Sequence, residues 1–404
     1  MQQHNDGNKK SGFYGLGIAP GILQILERLR FETPTPIQQQ AIPVAIEGKD
    51  LIGIAQTGTG KTLAFGIPMI QALAQKKGQG LILLPTRELA LQVDGVFHKI
   101  GRPLGIKTAV LIGGTSPKPQ ITSIAKNPHI IIATPGRLLD HLSQKTIKLE
   151  RVNILVLDEA DRMLDMGFQP QIKRILHAVP KNRQTMLFSA TLPPEIISIA
   201  SSHMKLPVSI EVAPSGTTIE SVLQEIFIVE RGAKTQLLAV LLKKHLGSTL
   251  IFTRTKFGAK RVTKNLRDLG EKVAEIHSNR SLSQRRDALE GFRSGRFRVL
   301  VATDIASRGI DVVGIETVIN YDLPSQAGDY VHRIGRTGRA GMEGRAISFA
   351  MPEERNDIRS IERLIRKDIP VSPHPAGFYR EQGTRVEFNK PRPVHYPGRK
   401  RRRS

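Results

Sequence analysis

The sequence predicts an α/β protein of two tandem lobes, each a parallel sheet flanked by helices, joined by a short linker. Three observations carry this. Short apolar runs alternate with longer helical stretches along the 404 residues. Several runs are nearly continuous Val, Ile and Leu, as in strands covered on both faces. The alternation pauses at Ala213–Thr218, then restarts.

Each element follows from that pattern. The expected strands of the first lobe are Leu51–Ile54, Leu81–Leu84, Ala109–Ile112, Ile130–Ala133, Ile154–Leu157 and Thr185–Phe188. Those of the second are Thr249–Thr253, Lys272–Ile276, Arg298–Ala302, Thr317–Asn320 and Ala346–Phe349. Strands that alternate with helices read as βαβ units and a parallel sheet. The pause, Ala-Pro-Ser-Gly-Thr-Thr, is small, polar and punctuated, as a hinge should be. The expected division is therefore 1–212, a linker at 213–218, and 219–368. From Val371 to Ser404 there are nine Lys/Arg against two Glu, with five prolines. Residues 369–404 are accordingly expected to be a basic, disordered tail with unspecific nucleic-acid affinity.

Composition narrows the function. Sixty Lys/Arg against 36 Asp/Glu give a net charge of +24, which favours polyanionic partners. The absence of cysteine excludes disulfides, cysteine zinc sites and thiol nucleophiles, and fits a reducing cytoplasm. No apolar run approaches the ~20 residues that span a bilayer. A polar start, Met1 to Lys10, lacks a signal-peptide apolar region. A cytoplasmic monomer is the expectation. Scattered histidines form no metal-ligating pair. His98 and His277 read as ordinary surface or satisfied residues, and Met163, Met166 and Phe168 as packing.

The chemistry starts at Ala55-Gln-Thr-Gly-Thr-Gly-Lys-Thr62, between an apolar strand and a helical stretch. This is the strand–loop–helix setting of a phosphate-binding loop, with Ala55 where a first glycine is usual. Gly58 and Gly60 let successive N–H groups face one anion, flanked by Thr57 and Thr59. Lys61 would reach the β- and γ-phosphates of ATP, and the Thr62 hydroxyl would hold Mg2+. About a hundred residues on, Val156-Leu-Asp-Glu-Ala-Asp161 ends another apolar strand. Asp158 is the expected magnesium carboxylate, facing Thr62. Glu159 is the expected base that orients and deprotonates the attacking water.

Asp158-Glu159-Ala160-Asp161 spells the name of the DEAD-box RNA helicases, and the sequence resembles that family from about residue 13 to 365. Phe13, then Phe31 and Thr33-Pro-Thr-Pro-Ile-Gln38, is similar to the adenine-reading Q motif (30–38). Pro85-Thr-Arg87, Gly113-Gly114 and Thr134-Pro-Gly-Arg137 resemble RNA-contacting motifs. Ser189-Ala-Thr191 resembles the coupling motif. Ile251-Phe-Thr253-Arg254, Ala302-Thr303 through Asp311, and His332-Arg-Ile-Gly-Arg336-Thr-Gly-Arg339 complete the set. The finer likeness is to the bacterial RhlE-type group, with a short tail.

What the resemblance implies is specific. The lobes should be RecA-like, with ATP between them. Gln38 should read adenine, whose edge suits an amide that donates and accepts. Phe13 should offer a ring face to the base, and Asp311 should lie at the ribose. Arg336 and Arg339 should reach the transferring phosphoryl group on closure, a contribution of ~10³–10⁵ in rate. RNA contacts are expected from Arg87, Gly114, Thr134, Arg137, Thr253, Arg285 and Thr303, and coupling from Asp161, Ser189, Thr191 and His332. With 5% aromatic residues and no Trp, backbone contacts without base reading are favoured over stacking platforms.

Two departures stand out. Arg30 occupies a position where glycine is usual. Leu282 replaces the glutamine of the Gln-x-x-Arg motif that ends at Arg285, so that position lacks the amide the family pattern places there. Rival readings are a DNA-translocating helicase, a nucleic-acid scaffold with a decayed ATPase, and a small-molecule kinase. The Q motif opposes the first. The intact Lys61, Thr62, Asp158, Glu159, Arg336 and Arg339 oppose the second, and the second lobe opposes the third.

Overall fold

The computed structural model describes residues 12–55, 58–75, 77–212, 222–304, 314–338 and 343–378. The first lobe runs α1 (Pro20–Arg28), α2 (Pro36–Ile46), β1 (Leu51–Ile54), α3 (Lys61–Gln75), β2 (Gln79–Leu83), α4 (Arg87–Ile100), β3 (Thr108–Leu111) and α5 (Pro117–Ala125). It continues through β4 (Ile130–Ala133), α6 (Pro135–Ser143), β5 (Val152–Leu157), α7 (Ala160–Asp165), α8 (Gln169–Ala178), β6 (Gln184–Ser189), α9 (Pro194–His203) and β7 (Val208–Glu211). In the second lobe come β8 (Val222–Ile228), α10 (Lys234–Lys244), β9 (Thr249–Phe252), α11 (Lys256–Asp268), β10 (Val273–Ile276) and α12 (Leu282–Arg293). After these are β11 (Val299–Ala302), β12 (Thr317–Asn320), α13 (Ala327–Ile334), β13 (Gly344–Ala350) and α14 (Arg355–Ile365).

Among the described residues, the first sheet has the order β3-β4-β2-β5-β6-β1-β7 and the second β10-β11-β9-β12-β13-β8. Neighbouring strands are parallel throughout, with Leu51 opposite Met186 and Thr317 opposite Thr249 as examples. Alternation along β2 shows why the runs are apolar on both sides. Ile82 packs into one core layer with Phe65, Phe97 and Phe188, while Leu81 and Leu83 pack into the other with Leu155 and Leu187. Both faces of the strand thus leave water.

The structure adds two strands to the sequence expectation. β7 and β8 are outer strands, half exposed, and polar residues such as Gln224 and Glu225 break their apolar pattern. The expected linker, 213–218, lies outside the described residues.

The expected tail needs a correction at its start. Ile369 is buried, and Val371 bridges to Ile226 in parallel. Ile226 N–H donates to the Pro370 carbonyl (2.9 Å), and Ser372 N–H to the Ile226 carbonyl (2.8 Å). His374 stacks on Phe378 with ring centroids 4.6 Å apart. Apolar residues and an unpaired strand edge hold this segment, so packed structure reaches Phe378. The rest of the tail lies outside the described residues.

With all strands parallel, the loops that follow β1, β2, β4, β5, β6, β9 and β11 open along the carboxyl edges of the two sheets, where α/β proteins hold ligands. Arg30, by contrast, sits at the end of α1 with φ of +60°, a left-handed conformation that glycine adopts freely. A side chain there costs ~1–2 kcal/mol. Arg30→Gly should therefore raise the first lobe's melting midpoint by roughly 2–8 °C, read by thermal unfolding.

Candidate nucleotide and RNA site between the lobes

The phosphate loop is built by close approach. Gly58 and Gly60 have φ of +90° and +89°. A Cβ on Gly60 would lie 2.3 Å from Gln38 Nε2, so neither backbone nor space admits a side chain there. Lys61, buried, donates to the Ala55 carbonyl across the loop (2.8 Å). Thr59 and Thr62 are half buried beside it. Thr57 lies outside the described residues.

Gln38, the expected adenine reader, sits against the phosphate loop. It is 3% exposed. Its Nε2 donates to the Gly60 carbonyl (2.9 Å), and its Oε1 accepts from Thr35 N–H (2.9 Å) in a capping box that starts α2. The amide therefore ties the Q motif to the phosphate loop, with one N–H and one lone pair over. Phe13 corrects an expectation. Only 1% exposed, it packs in the core and offers no ring face to a base, whereas Phe31 is 38% exposed next to exposed Thr33. An aromatic upstream of a motif reads alike in sequence whether it packs or stacks.

Beyond β5, three carboxylates have three different fates. Asp158 is buried. Burial pushes its carboxyl up to about 6, with the Lys61 cation opposing and Glu159 adding to the rise. Glu159 has φ of +52°. Burial alone would raise it too, but Arg162, Lys61 and Arg336 outweigh that and hold it at about 2. Arg162 Nη1 donates to Glu159 Oε2 at 2.9 Å, with both side chains 4% exposed. Glu159 is thus ionised, the state that orienting a water requires. Asp161 accepts from Ala190 N–H (3.1 Å), Thr191 N–H (3.0 Å) and Thr191 Oγ1 (3.0 Å), while its own N–H donates to Ser189 Oγ (3.2 Å). The acidic and coupling motifs are thus one hydrogen-bonded unit.

The second lobe closes this cluster. Arg336 is 3% exposed, and its charge acts on Glu159. His332 lies by the same acids. Burial, then the Arg162 cation, pushes its imidazole far below the usual range, so it is neutral at working pH. Arg339 and Asp311 lie outside the described residues.

Sequence does not single out Arg333, which anchors the helix that carries these groups. It is 1% exposed, and it grips Asp304 with two bonds (2.6 and 2.7 Å), Asn320 Oδ1 (3.1 Å) and the Asp322 carbonyl (2.6 Å). Arg162 is likewise unforeseen. Burial marks both, and burial is a property of the folded chain.

RNA-site expectations divide. Arg87, Thr134 and Arg137 line one cavity of about 410 Å³ with Gly113, and with Ser278, Arg280 and Arg285 from the other lobe. Arg87 lies so close over Gly114 (φ +68°) that a Cβ there would collide with its guanidinium. Thr303 lines a neighbouring cavity with Met166 and Arg254. Thr253 is corrected: it is fully buried, and its hydroxyl donates to the Thr255 carbonyl (3.2 Å). Arg285 is corrected in part. It pairs with Glu88 of α4 at 3.1 Å, with side chains 11% and 7% exposed, so it clasps the lobes together. Leu282, in place of glutamine, packs against the apolar cluster of the first lobe. His277 is buried beside Glu275, and its Nδ1 accepts from Asn279 N–H (3.3 Å). Met163 is packing as expected.

Comparisons with known proteins agree with this geometry. A family model described as DEAD/DEAH box helicase matches residues 35–199, and one described as helicase conserved C-terminal domain matches 233–341. The ATP-dependent rRNA helicase RRP3 of Gibberella zeae is 42% identical over 369 residues, covering 90% of this chain and 76% of that protein. The ATP-dependent RNA helicase CshA of Listeria monocytogenes is 44% identical over 359 residues, covering 88% and 69%. S. cerevisiae Dbp5 bound to RNA and ADP BeF3 matches with a TM-score of 0.79 at 31% identity, covering 89% of this chain and 96% of that one. Mss116p bound to ssRNA and AMP-PNP matches with a TM-score of 0.80 at 31% identity, covering 88% and 78%. Motif for motif and lobe for lobe, the chain belongs to the DEAD-box family of ATP-dependent RNA helicases.

Proposed function

We propose that the two lobes form a clamp in which ATP and RNA each favour closure, and in which hydrolysis reopens it. The observation that carries this is the Glu159 environment. Its carboxylate feels Lys61 and Arg162 from its own lobe and Arg336 from the other. Closure thus brings the second lobe's arginine to the place where phosphoryl charge develops. Lys61 neutralises the β/γ-phosphates, Glu159 orients the attacking water, and Arg336 stabilises the transferring group. The Asp161–Thr191 unit and neutral His332 pass the state of this site to the RNA groove. Arg87, Arg137 and the Gly113–Gly114 backbone hold phosphates without reading bases.

Magnesium fits the donor set. The Thr62 hydroxyl and the Asp158 carboxylate are hard oxygens, and a buried acid with a raised pKa is stabilised in its ionised form by a cation. Among the described residues no cluster of three metal-ligating side chains exists, which suits an ion held mostly by phosphate and water. When bound, the ion supplies positive charge to the phosphate oxygens. RhlE-type membership, supported by the motif run, is part of this proposal. So are the lobe boundaries 1–212 and 219–368, a cytoplasmic location and a monomeric state. Among the described residues no helix is long and apolar enough to cross a membrane.

Three outcomes follow. ATP hydrolysis should rise with RNA, and more than with DNA of equal length. Glu159→Gln should keep ATP and RNA binding while losing turnover by at least ~10²-fold, measured as phosphate release; equal rates with and without RNA would sink the coupling.

The clasp across the lobes gives the second outcome. Breaking a buried pair leaves an uncompensated charge. Glu88→Gln or Arg285→Gln should lower the RNA-stimulated rate by roughly 10- to 100-fold, and the double variant should lose much less than the sum.

The third is a pH profile. Because Asp158 is raised to about 6, it protonates as pH falls through that value. Activity at limiting Mg2+ should show an acidic limb near pH 6 that moves lower as Mg2+ is raised. A limb that ignores magnesium would remove Asp158 from this role.

A further inference from the structure

The two sheets repeat one strand order. Numbered within each lobe, both run third, fourth, second, fifth, sixth, first, and the first lobe adds β7 at the edge. β8 therefore stands where β1 stands, α10 where α3 stands, and β12 where β5 stands. Lys234 opens α10 as Lys61 opens α3. Its ammonium reaches the Tyr321 carbonyl (2.9 Å) and Asp322 Oδ1 (3.2 Å), just past β12, as Asp158 lies just past β5. Over this second-lobe position opens a cavity of about 420 Å³.

What is missing from the repeat indicates the ligand class. In the loop from β8 to α10 no residue has positive φ, so its N–H groups do not curl around one anion as they do at Gly58 and Gly60. Lys234 is already held by Asp322. The cavity is thus a poor nest for a triphosphate. It remains strongly basic, however. Its two carboxylates, Asp322 and Glu354, are engaged with Lys234 (3.2 Å) and Arg254 (3.1 Å). Arg231 and Arg261 also line it, both exposed, and both charges act on the Tyr321 phenol from the cavity side.

Two further observations point to a nucleic-acid strand. Phe257 lines the same cavity and is 73% exposed, with Lys256 Nζ 5.4 Å from its ring centroid. Arg254 lines both this cavity and the one between the lobes beside Met166 and Thr303, so the two are neighbours that share one arginine. We propose that this second-lobe cavity binds single-stranded RNA where it leaves the clamp, with Arg231 and Arg261 on phosphates and Phe257 stacked on a base. The site is additional to the inter-lobe groove and rests on that groove being an RNA site.

Binding of RNAs of about 6 and about 16 nucleotides, lengths that bracket single-strand sites, tests it on the full chain with a non-hydrolysable ATP analogue. Wild type should prefer the longer RNA. Phe257→Ala should lower long-RNA affinity by at least about fivefold. The Arg231→Ala/Arg261→Ala variant should flatten the salt slope of long-RNA binding by about 1.4, the value for two phosphates on a single strand. Both variants should keep wild-type short-RNA affinity and short-RNA-stimulated ATPase, which also controls for folding. Unchanged long-RNA binding in both variants would overturn the proposal, as would equal losses on short and long RNA. A length preference abolished by inorganic tripolyphosphate yet indifferent to Phe257→Ala would make the cavity a polyphosphate site, and would overturn it too. Wild type that binds neither RNA would instead remove the groove assignment, and this proposal with it.

Discussion

A carboxylate buried at the end of β5 sets the terms for the rest of this molecule. Glu159 sits in a backbone conformation that disfavours side chains, in surroundings that would normally protonate it. It stays ionised because Arg162, Lys61 and Arg336 converge on it. Burying one charge without such partners costs several kcal/mol. Two of the three cations come from the first lobe and one from the second. Closure is therefore built into the charge balance of the site, and the clamp and the chemistry share one set of interactions.

That arrangement explains the investment in anchoring. Arg336 can act only if α13 is held rigidly, and Arg333 does this with four hydrogen bonds inside the second lobe. On the opposite side, Asp161 fixes the coupling motif with three accepted bonds. The lobes meet again at Glu88 and Arg285, which both line the cavity with Arg87 and Arg137. Leu282 adds apolar contact at that junction, where a glutamine would have been polar. This chain thus joins its lobes by packing as well as by charge.

The shared strand order carries a second consequence. Two sheets of the same topology carry the same Lys at the same helix start, yet only one has the glycine turns that make a phosphate nest. Topology places a ligand edge on each lobe. Local φ angles and spare cations decide which anion each edge can hold.

The inner strands of both sheets, the phosphate loop and the acidic motif were legible in sequence because each is local. An apolar run, a glycine pair and an acid after a strand need no distant partner to be recognised. β7 and β8 escaped because outer strands lose the two-sided apolar signal. Phe13 and Thr253 escaped because a residue's type does not say whether the fold buries it. Gln38 and Arg285 were named from sequence, but their partners, Gly60 and Glu88, lie 22 and 197 residues away in the chain. Sequence by itself determined the element types and the chemical inventory, since periodicity and residue chemistry are properties of short segments. Only the tertiary structure decided which of those groups are charged, buried or paired, because those properties arise from neighbours that the chain brings together when it folds.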